Sequence, residues 1–214
     1  YLHVILAVAQ GATTSQTNAI DDITAIQFNN TEVWSGSVKG DTGTVASDFS
    51  GKLTLRVWLG AHDQTVASPD YSVGSFNISE EWTSDHRMRG VAYIYAIMQY
   101  DRDLYPGAPT ITCDIKGKKI KAVNEGGTGV HPTTYVSTDA ERKNPANIIY
   151  DYLVEPVYGK GISTSQIDIE SFKTARTWAS GSAGVSFNGA LDTADTLFNN
   201  TQKLLTCANM NLVY

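Results

Sequence analysis

Residues 144–161, NPANIIYDYLVEPVYGKG, restrict the fold more than any other part of the chain. Asn144 can accept from the orphan amides of a first helical turn, and Pro145 has φ already set and no amide to leave unpaired, so a helix starts here. Ile149 and Leu153 fall four apart, with Ile148 and Tyr152 beside them, which gives the helix a broad apolar stripe for a core. Pro156 lacks a donor and restricts Glu155, so the helix ends there, and Gly159 and Gly161 permit a turn. The segment holds no nucleophile, metal cluster or phosphate loop.

Strand patterns fill the first half. Residues 1–9 are apolar on both faces, which predicts a central, doubly covered strand. Residues 21–28 form a second strand, turning through Asn29-Asn30 into residues 32–34, because Asn tolerates left-handed geometry. The polar residues 35–50 are expected to be an exposed loop. In residues 52–59, Leu53, Leu55, Val57 and Leu59 alternate with Lys52, Thr54, Arg56 and Trp58. Residues 60–85 form a long polar connection. In residues 90–100, Val91, Tyr93, Tyr95 and Ile97 share one face and Ala92, Ile94, Ala96 and Met98 the other. Ile111, Cys113 and Ile115 are expected inward, with a hairpin at Lys116-Gly117 leading into residues 118–123. With no crossover helices among these strands, the sheet is antiparallel.

Residues 124–143 are expected to be a linker loop. Beyond the helix at Asn144, Asp168 caps a second helix through Phe172, Ala175 and Ala179. A short strand at 185–188 and a turn at Asn188-Gly189 follow. A third helix starts at Asp192 or Thr193, with Leu197, Phe198, Thr201, Leu204, Leu205 and Ala208 in one stripe. The expected organisation is a β-rich region at 1–123, the linker at 124–143 and a helical α+β subdomain at 144–214. The fold class is α+β, with an antiparallel, barrel-like or sheet-rich first half and a helical second half.

Candidate chemistry is sparse. His3, His62, His86 and His131 never fall at i, i+4 or beside paired cysteines, so no metal site is assigned. Asp101 and Asp103 flank Arg102 near Tyr105, but neighbours on one strand end do not make the opposed acids of a glycosidase, and a charged turn is the expectation. No G-x-S-x-G elbow or phosphate-binding loop is present. Residues 125–129 (EGGTG) read as a flexible loop. The N-x-[ST] matches at Asn29, Asn77 and Asn199 are by residue type only. No catalytic, cofactor or metal residue is assigned, and no cofactor is expected.

Composition narrows the function classes. The net charge of −6 argues against non-specific nucleic-acid binding as the main task, although it permits a locally basic surface. Lys116, Lys118, Lys119 and Lys121 are the one basic cluster, read as a solvated hairpin or as a patch facing DNA or an acidic partner. Cys113 and Cys207, far apart in sequence, are expected to be buried free thiols. No apolar run approaches the roughly 20 residues of a membrane span. Trp34, Trp58, Trp82, Tyr71, Tyr135 and Tyr158 are candidates for interface anchors or for ordinary core. The chain lacks a signal-peptide pattern, opens without Met and closes on residues 211–214, which read as a strand start. It is therefore expected to be an internal piece of a longer polypeptide.

The pattern NPA-x-IIYDYL-x-x-x-VYG-x-GI resembles the helix and loop of the central hub, or tip attachment (host specificity) protein, of non-contractile phage tails and their prophage relatives. Residues 1–11 (YLHVILAVAQG), 90–105 (GVAYIYAIMQYDRDLY), 106–119, 167–172 and 187–193 (FNGALDT) resemble the same family in its order and at similar spacing, which together covers nearly the whole chain. Residues 167–170 match the start of the family's second helix only approximately.

The resemblance implies a virion structural protein of the tail tip, made in the bacterial host cytoplasm. It implies a homotrimer in the full-length protein, contacts with the distal tail protein and the tape-measure protein, and a lumen through which phage DNA passes. It also implies a scaffold that aids attachment and genome delivery, not an enzyme. The alternatives are a phage-associated cell-wall hydrolase, which needs converging acids or a metal, and a glycan-binding module with exposed tryptophan platforms.

Overall fold

Antiparallel strands occupy the first half of the chain and helices the second, an α+β fold. The computed structural model describes residues 1–11, 18–39, 43–64, 82–83, 85–123, 127–136, 138–192 and 194–213. Tyr71, Asn77, Glu125, Gly126, Thr193, Tyr214 and most of the 60–85 connection lie outside them. The chain divides into two units, Tyr1–Lys118 and Lys119–Tyr214.

The first unit contains β1 (Leu2–Gln10), β2 (Ile20–Phe28), β3 (Thr31–Ser35), β4 (Thr44–Val45), β5 (Leu53–Leu59), β6 (Val91–Met98) and β7 (Ile111–Lys118). They form one sheet of order β1-β6-β5 and another of order β4-β3-β2-β7, every pairing antiparallel. The two sheets share a core. Ile20, Ile23, Ile26 and Phe28 of β2 join Ala92, Ile94, Ala96 and Met98 of β6, with Val33, Trp34, Phe49, Leu53 and Tyr105 completing the cluster. Burying each large apolar side chain stabilises the unit by about 1.5–3 kcal/mol. At one corner Ala19 N donates to Leu59 O at 2.8 Å. Gly60 makes that approach possible, since a Cβ there would lie 2.5 Å from Ala19 Cβ and 2.7 Å from Ala92 N.

The doubly covered strand is β6, where the sequence reading expected β1. The other face of β6 presents Tyr95 and Ile97 to Ile5, Trp58 and Trp82. Trp58 stacks on Tyr93 with centroids 4.4 Å apart. β1 is an edge of this sheet among the described residues, and its side chains are partly buried or exposed. An apolar run alone does not distinguish the two, because the position in the sheet is set by which strands find partners on both sides.

Three further expectations change. The hairpin at Lys116-Gly117 does not form. β7 continues through it, with Asp22 opposite Lys116 and Ile20 opposite Lys118, because the nine-residue β2 offers backbone partners along its full length. The pairing shifts between Ile23 and Ala25, and Ile115, opposite the buried Ile23, is 42% exposed where a buried side chain was expected. The stretch 35–50 includes β4, paired with β3, and the buried Phe49, so it is more than an exposed loop.

The second unit contains β8 (Ile120–Lys121), β9 (Tyr135–Val136), α1 (Asp139–Lys143), α2 (Pro145–Val154), α3 (Ile169–Ser180) and α4 (Leu197–Ala208). The residues expected to link two domains thus include β9, paired with β8, and α1. α2 is central, with nine of its ten residues buried. Its start is as expected: the Asn144 side chain accepts from Ala146 N at 3.0 Å, with Pro145 next. Its end is wrapped by the chain, where Gly159 N donates to Glu155 O, Lys160 N to Tyr152 O and Ile162 N to Leu153 O. Asp168 caps α3 through Glu170 N at 3.0 Å.

α4 begins later than expected, because the Thr196 hydroxyl accepts from Asn199 N at 3.1 Å and caps the helix there. Asp192 instead accepts from Ala194 N in a preceding turn. Residues 185–188 form no strand; Val185 N bonds Ala179 O and Phe187 N bonds Lys143 O. No helix among the described residues is long and apolar enough to cross a membrane.

Candidate functional site

α2 has two buried sides of opposite character. Ile149, Tyr152 and Leu153 pack with Leu204 and Leu205 of α4. Asn144, Asn147, Asp151 and Glu155, spaced three, four and four apart, form a buried polar stripe. Asn144 Nδ2 donates to Arg176 O at 3.0 Å. Asn147 Oδ1 accepts from Val123 N at 3.0 Å, and its Nδ2 donates to Glu141 Oε2 at 2.6 Å. Asp151 accepts from Lys121 N at 2.9 Å and from the Tyr158 hydroxyl at 2.7 Å. Glu155 accepts from the Lys121 ammonium at 3.1 Å and from the Tyr135 hydroxyl at 2.8 Å. Lys121 also lies over the Tyr135 ring, 5.2 Å from its centroid.

These contacts occupy the polar atoms with groups of the same unit. Burial, and then the charge of Asp151 and its acceptance of the phenolic proton, hold Tyr158 far above the usual tyrosine range, so it stays protonated and donates. Tyr150, which shares a hydrogen bond of 3.0 Å with His131 Nδ1, is pushed up to about 12 by burial and by Asp151. The stripe clasps the irregular chain around β8 and β9 to the helix. No reacting group stands free in it.

The other sequence candidates are dispersed. His3 Nδ1 meets the Tyr95 hydroxyl at 2.7 Å, His86 stacks on Trp82 with centroids 4.9 Å apart, and His62 is exposed. Burial and the N-terminal charge hold His3 below its ordinary range. Among the described residues no three His, Cys, Asp or Glu side chains are grouped to hold a metal ion. Asp101 Oδ1 accepts from Asp103 N at 3.0 Å and Leu104 N at 3.2 Å, and its other oxygen pairs with Lys52. Those contacts, led by Lys52, hold its carboxyl below the usual range. Asp101 therefore organises a turn that returns to Tyr105, whose hydroxyl donates to Lys52 O at 2.9 Å.

Three members of the lysine cluster have partners within their own unit. Lys116 lies opposite Asp22 on β7, Lys118 donates to Gln10 O, and Lys121 is engaged by Glu155. Both cysteines are free. Cys113 is partly buried, and burial followed by Asp114 pushes its thiol up, which makes it a poor nucleophile. Cys207 is exposed where a buried thiol was expected, because it lies off the stripe of Leu204, Leu205 and Ala208. Asn29 sits in its turn at φ 50° and accepts from Thr110 N, while Asn199 donates to Asp195.

Several proposed aromatic anchors belong to the interior. Trp34 is in the core, Trp58 is stacked on Tyr93, and Tyr135 and Tyr158 serve the α2 stripe. The large apolar side chains that reach solvent are others, among them Tyr100 at 72%, Phe198 at 67%, Leu197 and Trp178. Phe198 and Leu197 were expected to be buried in the α4 stripe, but the cluster with α2 takes up Leu204 and Leu205 and leaves the first turn outside it. Two apolar residues side by side at a helix start were the available signal. The depression at the C-terminal end of α4, about 260 Å³ and lined by Leu205, Thr206, Asn209 and Met210, is below the size usual for small-molecule sites. No protein-family model matches the chain, and no curated protein matches it.

Proposed function

We propose that this chain is a scaffold section of a phage or prophage tail hub, working through subunit contacts in place of chemistry. The observation that carries the reading is the run of segments resembling that family, in its order, from residues 1–11 to 187–193. An antiparallel β unit followed by a helical unit is the arrangement that the resemblance implies. The ionisable groups of the α2 stripe are consumed in holding the second unit together, while Tyr100, Trp178, Leu197 and Phe198 face solvent, where aromatic and apolar anchors of subunit contacts belong. In this reading the full-length protein is a homotrimer that meets the distal tail protein and the tape-measure protein around a DNA conduit at the virion tail tip.

The test is to purify the full-length protein that contains this chain and image it by negative-stain electron microscopy, with mass photometry alongside. Threefold rings with a central channel are the expected result. A full-length protein that stays monomeric at micromolar concentration, or turnover of purified peptidoglycan by it, would sink the proposal.

A further inference from the structure

Asn188 and Gly189 lie in the stretch between α3 and α4, where the chain has neither helix nor strand. The residue before them is an anchor. Phe187 N donates to Lys143 O at 2.8 Å, and its side chain packs against the cluster of Ile149, Leu153 and Leu204. Asn188 and Gly189 are both exposed. Neither the Asn188 side chain nor the Gly189 amide takes part in a hydrogen bond among the described residues.

This is the one Asn-Gly pair in the sequence. A backbone nitrogen followed by no Cβ is the least hindered nucleophile toward a preceding asparagine amide. A side chain would also be crowded at this position, since a Cβ at 189 would meet the Phe187 ring at 3.2 Å. Five other asparagines are restrained. Asn144, Asn147 and Asn200 are buried and bonded, Asn29 holds Thr110 N, and Asn199 donates to Asp195.

We propose that Asn188-Gly189 is a self-modifying site at which the folded chain converts spontaneously to aspartate and isoaspartate, and that the isoaspartyl form loosens the neighbouring Phe187 anchor. The Gly189 nitrogen attacks Asn188 Cγ. The new C–N bond closes a five-membered succinimide as the Cγ–Nδ2 bond breaks, and Nδ2 leaves as ammonia with the proton from the amide. Water then adds to either ring carbonyl. Opening at one restores the normal backbone as aspartate; opening at the other routes the backbone through the side-chain carbon as isoaspartate. Both products add a negative charge, but only the second lengthens the main chain by a methylene, one residue from Phe187.

The test incubates the purified chain in mildly alkaline buffer at body temperature and maps its peptides by mass spectrometry, with isoaspartyl methyltransferase labelling. Conversion at 188 should outpace that at every other asparagine, give mostly isoaspartate and be lost in Asn188→Gln, whose amide would have to close a six-membered ring. The isoaspartyl fraction should melt below freshly purified Asn188→Asp, which has the charge without the extra methylene. An intact Asn188 after other asparagines have converted overturns the site. Equal melting of the isoaspartyl fraction and Asn188→Asp overturns the effect on Phe187.

Discussion

Gly159 works through its lack of a side chain. A Cβ there would stand 2.1 Å from Tyr152 O and 2.7 Å from Glu155 O, the carbonyls at the end of α2 that the chain wraps. Gly159→Ala should therefore cost about 1–3 kcal/mol by overpacking, seen as a lower urea midpoint. Tyr158→Phe removes the donor 2.7 Å from buried Asp151 and should also cost about 1–3 kcal/mol. An unchanged midpoint would mean that Asp151 had found another donor. Asp22 adds a pH signature. Burial alone would raise its carboxyl, but hydrogen bonds from Lys39 N, Ser37 and Ile23 N, with the charge of Lys116, outweigh that and hold it below the usual range. A depressed folded value means that its stabilisation is fully present above the unfolded pKa, about 3.9, and is lost as pH falls through the folded one. Urea midpoints of the parent and Asp22→Asn should thus differ most near neutrality and converge in acid. A gap independent of pH would rule this out.

At the scale of elements, the polar stripe of α2 is the least obvious feature. An amphipathic helix ordinarily gives its polar side to water, but here Asn147 and Asp151 turn inward to serve Val123 N and Lys121 N. Asn147→Ala leaves the buried Val123 amide without its acceptor, and we expect about 1–3 kcal/mol of destabilisation with early loss of hydrogen-exchange protection at that amide. Retained protection there would contradict the assignment. The caps at Asn144 and Asp168 could be read directly from residue type, because they satisfy amides within their own first turn. The three-four-four spacing of Asn144, Asn147, Asp151 and Glu155 was equally visible, but nothing local says whether such a stripe meets solvent or a strand. The late start of α4 at Thr196 was no easier to read, since Asp192 and Thr196 are both residue types that cap helices.

At the scale of the molecule, each hydrophobic cluster among the described residues belongs to a single unit. Those around β2 and β6 lie within residues 1–118, and those around α2 lie within residues 119–214. Residues 119–214 expressed alone should show helical circular dichroism and cooperative urea unfolding. A fragment without a cooperative transition would show that its core needs the first unit. If the surface side chains serve assembly as proposed, Phe198→Ser should leave the chain's stability within about 0.5 kcal/mol, as surface changes usually do, yet weaken self-association of the full-length protein.

From sequence alone came what depends on near neighbours. The turn at Asn29-Asn30, the starts of α2 and α3, the alternating faces of residues 91–98 and the α+β class all follow from backbone preference and hydrophobic period. Only the tertiary structure decided which apolar strand became central, that β7 runs on past Gly117, that Trp34 and Tyr158 point inward, and that Phe198 points out. Those outcomes are set by competition between distant segments for the same backbone partners and the same buried volume, and no local pattern records who wins.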